Sequence, residues 1–444
     1  TGYMNVSKGS FAGSAQAVNA DNIEKKNPSE ISKALAGEVA GVQVVNSSGQ
    51  PGSNASIRVR GLGSIYASSS PLYIVDGVTY GGDISSIDPG DIASTTILKD
   101  ATATSLYGSR GANGVILITT KKGTSGEQGK IDVDLKMGAN MRLLPMYDVI
   151  TDPAEYVELS WQSIYNKLYT SASDPTSVAT LASKQLFGSQ GLPQAYNLWG
   201  VSGSELIDVN GHFFDDATRE AILPKYQNMT TDTWKKNIFR VGLKAEANVK
   251  IHGGTEKTTY FTSFGYLKDE GYYISSDFSR FNVRSNLEYQ PKKWLKAGLN
   301  LAYAYSSYNS PGQSSNMNNG FAYVNGIPPI YPVFLYNDDG TRQLDPRTGI
   351  DAYDYGNTKN GKRGFGPGIN PAGSLLFDKQ ITTSHQFTGN ADFEIKFYKD
   401  LKFTATIGYQ YLGESGSQLT NSYYGDAAGI GRIYKSQKIG RAHV

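Results

Sequence analysis

The chain has 444 residues, with Lys+Arg 42 against Asp+Glu 40 and a formal net charge of +2. A charge so near zero excludes the strong basic footprint of a nucleic-acid binder, and Cys 0 excludes disulfides and thiolate metal sites. Charged residues are only 18%, while Gly 50 and Tyr 30 are high, a balance that suits many turns and many strands ending in aromatics. No run of about 20 apolar residues exists, so no transmembrane helix is expected. The chain opens at Thr1 in what reads as a linker, which predicts that sequence precedes it.

The first part, to about residue 123, alternates helix and strand signals. Asn27 can cap a helix, Pro28 suits its first position and Glu30 falls where a capping box wants an acid. Ile31, Leu35 and Val39 then share one helical face, and Gly41 ends it. Strands are expected over 42–45, 57–60, 72–75, 92–98 and 115–120, with a polar loop over 46–56 and a turn at Asp76-Gly77. Asp100 can cap a short helix over 101–107 that Gly108 terminates. The product is a small α+β domain with a mixed sheet. Gly108, Gly111 and Gly114 form no P-loop, because no Gly-Lys-Ser/Thr follows.

Residues 71–78 (Pro71 through Asp76-Gly77-Val78), 84–92 (Ile84 through Asp88-Pro89-Gly90-Asp91-Ile92) and 98–123 (Leu98-Lys99-Asp100 through Tyr107-Gly108-Ser109-Arg110-Gly111 and Gly114 to Gly123) resemble the plug signature of the SusC/RagA family of TonB-dependent outer-membrane transporters. The wider plug, including Arg58, Val59, Arg60 and Gly61, fits as well. The resemblance implies structural roles for Arg58, Arg60, Gly61, Asp76, Gly77, Lys99, Asp100, Tyr107, Gly108, Arg110, Gly111 and Gly114. Gly77, Gly108 and Gly114 would supply backbone angles or close approaches that other residues resist. Arg58, Arg60 and Arg110 either pair with carboxylates of a surrounding barrel wall or are ordinary surface arginines.

From Lys130 the signal changes to period two. Apolar and polar residues alternate over 131–142, 240–251, 280–289, 295–306, 387–397 and 401–411, and more weakly over 255–267. Strands of about ten residues with one apolar and one polar face match a transmembrane β-barrel whose apolar face meets lipid. A soluble sandwich would instead pack its apolar faces on each other. Connection lengths separate the two readings. Long links over 143–239 and 307–385 and a medium one over 270–277 alternate strictly with short turns near Gly253-Gly254, Pro291-Lys292-Lys293 and Tyr398-Lys399-Asp400, as barrels of outer membranes do. Trp294, Tyr303, Tyr305, Tyr398, Tyr409 and Tyr411 suit aromatic girdles.

The expected fold is therefore an α+β plug domain (1–125) followed by antiparallel transmembrane β-barrel strands (126–438), an incomplete barrel of about 7–8 of about 22 strands. Ile439-Gly440-Arg441-Ala442-His443-Val444 is what the sequencing adapter ATCGGAAGAGCACACGTC encodes, which predicts that the gene's own reading frame continues past Lys438.

No catalytic chemistry is legible, so no enzyme is expected, and no cofactor. The histidines His212, His252, His385 and His443 show no paired ligand spacing, and no Gly-x-Ser-x-Gly elbow occurs. Asn337-Asp338-Asp339-Gly340 could offer oxygen ligands to calcium; a solvated turn is the competing reading. Trp161, Trp199, Tyr323 and Tyr331 in the long links could stack on a ligand, or could form the core of folded loops. The resemblance implies import of a glycan or peptide across the outer membrane. TonB, energised by ExbB/ExbD, would open the plug, and a SusD-like surface lipoprotein would capture the ligand. It places the TonB-contacting segment before the plug, at or upstream of Thr1-Gly2-Tyr3. The competing readings are a receptor that binds or signals without transport, an anchored adhesin or enzyme, and a truncated fragment without function.

Overall fold

The computed structural model describes residues 15–19, 23, 26, 28–59, 61, 69–99, 105–143, 145, 147–230, 232–311, 319–358, 361–398, 401–421 and 432–439. Its first sheet is built from β1 (Ala15–Asn19), β4 (Leu72–Val75), β5 (Val78–Tyr80), β6 (Ile92–Leu98) and β7 (Val115–Thr120) in the order β1-β6-β7-β4-β5. β4 and β7 run parallel and the other pairs antiparallel. β2 (Val42–Val45) and β3 (Ser56–Val59) form a separate hairpin. β7 is apolar along most of its length because both of its faces are covered. Ile116 and Ile118 join a core with Ile31, Leu35, Val39, Ile57 and Ile92, whereas Val115 packs with Ile74, Leu98 and Tyr107 on the opposite side.

Two expectations for this domain need correction. The helix is only Ile31–Ala34, since Gly37 at φ 76° ends it early. Ile31, Leu35 and Val39 are nevertheless all buried. Glu30 is no capping-box acid: its carboxylate accepts from Gly52 N at 2.7 Å and pairs with Lys33 at 2.8 Å, while Asn27 lies outside the described residues. The second helix is of the 3-10 type from Ser105, and Gly108, at the non-helical φ 58° and ψ −149°, breaks it as expected before a further turn ends at Gly111; Asp100 and 101–104 lie outside the described residues. β1 and β5 carried too few residues to show a period.

The Asp-Gly turn forms as its chemistry dictates. Asp76 and Gly77 have φ of 47° and 88°, the pair of positive values that a two-residue hairpin turn needs, and β4 and β5 pair across it. Gly114 is fixed by a close approach: a Cβ there would lie 2.8 Å from Val59 Cβ.

The second sheet has eight strands. β8 (Lys130–Asn140), β9 (Gly242–Gly254), β10 (Thr258–Glu270), β11 (Asp277–Lys292) and β12 (Leu295–Asn309) are followed by β15 (Lys379–Tyr398), β16 (Leu401–Thr420) and β17 (Arg432–Ile439). Each strand pairs antiparallel with the next in that order. The small hairpin β13 (Asn357–Thr358) and β14 (Gly361–Lys362) lies within the β12–β15 connection. Links over 255–257, 293–294 and 399–400 alternate with links over 141–241, 271–276 and 310–378. All the longer ones therefore lie at one end of the sheet. β15 and β16 each have 20 residues, where about 9–11 cross a bilayer, so they project beyond the apolar band on the long-link side. The alternation seen over 387–397 marks only their membrane portion.

The sheet is inside out relative to a soluble one. On β11, Phe281 is 42% and Leu287 40% exposed, whereas the alternating Arg280, Asn282, Arg284 and Asn286 are 7% exposed or less. On β8, Leu135 and Met137 stand out at 75% and 86%. The polar face is the covered one, and the first domain covers it.

The long links are not irregular. The first contains helices Pro153–Leu168 and Pro175–Gln185, and the second Gly320–Gly326 and Pro371–Phe377. Asp152, Asp174 and Asn370 cap three of them, each followed by proline at the first helical position. That Asx-Pro start is a sequence signal available in the chain but outweighed by the length of the links. The helices and the 271–276 link share one core that includes Val157, Trp161, Trp199, Tyr273, Tyr323 and Tyr331.

Residues 121–129 join the two sheets and are tied to the wall. Gly126 N donates to Thr255 O at 3.4 Å, Gly254 N to Glu127 O at 2.9 Å, and Lys122 pairs with Glu288 at 2.5 Å. The eight-strand sheet itself ends on β8 and β17. Unpaired strand edges are not tolerated in hydrocarbon. Purified and refolded in detergent by itself, the 444-residue chain is expected to migrate identically boiled and unboiled; a faster unboiled band would show that it closes a barrel alone.

Candidate functional site

The seam between the first domain and the polar face of the sheet concentrates the buried charge. Arg280 on β11 is 2% exposed. Its Nη1 donates to Ser85 O at 2.9 Å, Ser29 O at 3.0 Å and Ile87 O at 3.4 Å, and its Nη2 lies 3.5 Å from Asp88 Oδ1. Two repeats of the β pleat further on, Arg284 sits 3.4 Å from Asp91 Oδ2 through Nε and 3.6 Å from Asp76 Oδ2 through Nη1. Asp76 is held for this role by its turn: its carboxylate accepts from Thr120 N at 2.9 Å and Thr120 Oγ1 at 2.7 Å. Asp88 and Asp91 come from the 3-10 turn Pro89–Asp91, where Asp88 caps Gly90 N at 2.9 Å. Burial, reinforced by neighbouring Asp88, pushes the Asp91 carboxyl above the usual range against the pull of Arg284.

Neutral amides complete the seam. Asn286 Nδ2 donates to Thr120 Oγ1 at 2.8 Å and Lys121 O at 2.7 Å, and Asn390 Nδ2 to Asp76 O at 3.1 Å. Ser86 Oγ donates to Gln386 Oε1 at 2.9 Å and Gly81 N to Gln410 Oε1 at 3.0 Å. Ser29 Oγ donates to Asp269 at the long-link end. Gly408 lets the domain approach β16, since a Cβ there would lie 2.6 Å from Val78 Cγ1. Two cavities of about 20 Å³ lie between domain and wall, both touching Tyr80 and Arg284, each the size of about one water, and an open one of about 700 Å³ lies toward β8, beside Lys121, Asp134 and Lys250.

The polarity of these pairs is the reverse of one sequence reading. The wall supplies the arginines and the enclosed domain the carboxylates. Arg58 on β3 forms no ion pair with a described residue, and Arg110 is exposed and forms none either; Arg60 and Asp100 lie outside the described residues. Lys99 Nζ donates to Ala40 O at 2.8 Å and ties the domain to itself. Tyr107 is buried in the smaller core, Gly111 is buried, and Gly61 takes φ 91°. Arg280 and Arg284 were visible in the sequence only as polar members of an alternating strand. Two arginines four residues apart on the covered face of one strand are the signal that marks them.

The long-link core has its own buried charge. Arg363 is 1% exposed and donates to Phe365 O at 2.7 Å, Gly366 O at 2.9 Å and Ile369 O. Its guanidinium also lies 5.7 to 5.8 Å from the ring centroids of Trp234, Tyr323 and Tyr331, within cation–π range. Asp354 accepts from Tyr196 OH at 3.1 Å and Gly356 N at 2.7 Å, and burial pushes its carboxyl up. Trp161, Trp199, Tyr323 and Tyr331, considered as stacking platforms, are 2%, 3%, 0% and 4% exposed. Their rings are covered by this core, so they act as its packing and present no face to a ligand. Asp339 spends its carboxylate within its turn, accepting from Thr341 N at 2.9 Å and Oγ1 at 2.6 Å. No group of three acidic or histidine side chains suited to a metal occurs among the described residues.

Replacing Arg280 by Ala leaves Asp88 buried without its cation and is expected to weaken seating of the domain by about 3–5 kcal/mol. Arg58→Ala and Arg110→Ala should change it by about 0.5 kcal/mol or less. Urea-induced release, followed by protease sensitivity of residues 15–120 in the complete barrel, measures both. Arg363→Met should make the long links protease-sensitive while leaving the barrel's heat-modifiable mobility intact.

Residues 7–115 match the family model for the TonB-dependent receptor plug domain. The chain is 28% identical to the TonB-dependent receptor SusC of Bacteroides thetaiotaomicron across 96% of its own length and 38% of that protein. It is 31% identical to the TonB-dependent receptor P26 of Formosa agariphila across 77% of itself and 29% of that relative. A solved structure of the RagAB peptide transporter superposes with TM-score 0.70 at 27% identity, covering 96% of this chain and 44% of that one. The chain thus spans well under half the length of these relatives.

Proposed function

We infer, from the chain's place among the SusC/RagA-type TonB-dependent receptors, that it forms the plug and leading barrel wall of an outer-membrane nutrient importer. One observation carries the reading: a folded domain seated by buried arginine contacts on the polar face of a sheet whose apolar face is exposed. Such a sheet belongs in lipid, and a domain plugging its lumen must move before anything passes. The long links then face outward, where their shared core makes a rigid mouth, and the short turns face the periplasm. The transported nutrient is an oligosaccharide or a peptide; a structural relative is described as a peptide importer. A SusD-like lipoprotein delivers it, and TonB with ExbB/ExbD supplies the work that unseats the plug. The chain's part is passage rather than catalysis.

Deleting the complete gene from its host and supplying single glycans or peptides as sole carbon source tests this. Growth should fail on one nutrient class, return with the wild-type gene, and stop when an uncoupler collapses the proton gradient. Unchanged growth on every source, with ligand still bound at the surface, would favour a receptor that does not transport.

A further inference from the structure

The plug seat does not balance its charges. Asp76, Asp88 and Asp91 face Arg280 and Arg284 across the seam, all with side chains 8% exposed or less. The next charge, Lys250 of β9, also faces Asp91 but is itself paired with Asp134 of β8 at 2.8 Å. On the β12 and β15 side, the cavity beside Asp91 is lined by uncharged Ala302, Tyr303, Ala304, Gln386 and Thr388, and besides Asp88 the plug adds only uncharged Tyr80, Ser86 and Ile87. One carboxylate is therefore in excess in a buried seam.

The hydrogen bonds identify which one. Asp76 has two donors from Thr120. Asp88 has Gly90 N at 2.9 Å and Asn282 Nδ2 at 3.5 Å, besides Arg280. Asp91 faces Arg284 through Oδ2, whereas its Oδ1 is buried without a hydrogen-bond partner among the described residues. An ionised carboxylate in that position bears a desolvation cost that a proton removes. We propose that the plug seats with net uptake of one proton, held on Asp91, so that its grip on the barrel wall strengthens as pH falls. Ser263 Oγ of β10, which faces Asp91 and is itself buried without a hydrogen-bond partner among the described residues, can accept from that proton.

The sign follows from linkage. An unseated plug exposes Asp91, which then titrates near about 3.9; seated, it keeps its proton to higher pH, in the direction burial and Asp88 both push. Seating is strongest at low pH and weakens as pH rises through the seated value. The consequence is a latch that loosens in alkaline surroundings and tightens in acid, whether the barrel transports its ligand or only binds it.

The chain has Cys 0, so a single thiol can report seating. Ala304→Cys in the complete barrel places it on the wall beneath the plug, and Val209→Cys, on an exposed long link, corrects for the thiol's own ionisation. Corrected maleimide labelling at position 304 is expected to be at least about threefold faster at pH 8 than at pH 5.5, each 1.4 kcal/mol being tenfold in an equilibrium. Asp91→Asn should abolish that dependence while keeping labelling slow, and Asp88→Asn should speed labelling at both pH values. Labelling that is flat with pH in the otherwise wild-type barrel, or uniformly faster with Asp91→Asn, overturns the proposal. Should Asp91→Asn not assemble, the pH response of the otherwise wild-type barrel decides.

Discussion

Arg280 is the contact on which the arrangement turns. A guanidinium cannot shed its charge, so burying it calls for acceptors, and the plug supplies three backbone carbonyls to Nη1 and Asp88 to Nη2, while Nε has no hydrogen-bond partner among the described residues. Those carbonyls belong to separate stretches of the plug, around Ser29 and around Ser85 and Ile87. One wall side chain therefore fixes two plug segments to each other as well as to the barrel. Remove the plug and the arginine must be solvated by water in the lumen; remove the arginine and the plug loses the post about which its turns are arranged.

The same constraint explains why the two halves of the chain carry such different patterns. The plug obeys soluble rules, with Ile31, Leu35, Ile92 and Ile116 inside. The wall obeys the opposite rule because its outer solvent is hydrocarbon, so Phe281 and Leu287 stay exposed while Arg284 and Asn286 are covered. The long links return to soluble rules, packing Trp161, Tyr323 and Tyr331 around the buried Arg363. Hydrophobic burial in three different solvent settings thus shapes one chain.

What could be read from residues alone follows the length scale of each interaction. β6 and β7 match their expected limits because both are runs of branched and apolar residues bounded by turn signals, and the barrel strands were legible because alternation repeats over ten residues or more. The plug helix was overextended, since Ile31, Leu35 and Val39 do share a buried face although Gly37 turns the chain between them. β17 (Arg432–Ile439) lacks a clean alternation and escaped notice. Partners across the seam were not legible at all: Arg284 and Asp91 are far apart in sequence, and no local pattern states which wall strand a plug turn will meet. For the loop aromatics the sequence favours packing over stacking on a ligand, and their burial accords with packing.

The connector over 121–129, pinned to the β9–β10 turn and to Glu288, has a consequence for repetition. A plug drawn away from its seat by its leading end remains attached to the wall by its trailing end. Its return is then a unimolecular step, with an effective concentration of the order of millimolar for a short tether, and needs no search through the periplasm. On the proposed function, each opening event carries its own means of resetting, and the leak it permits lasts only as long as the pull.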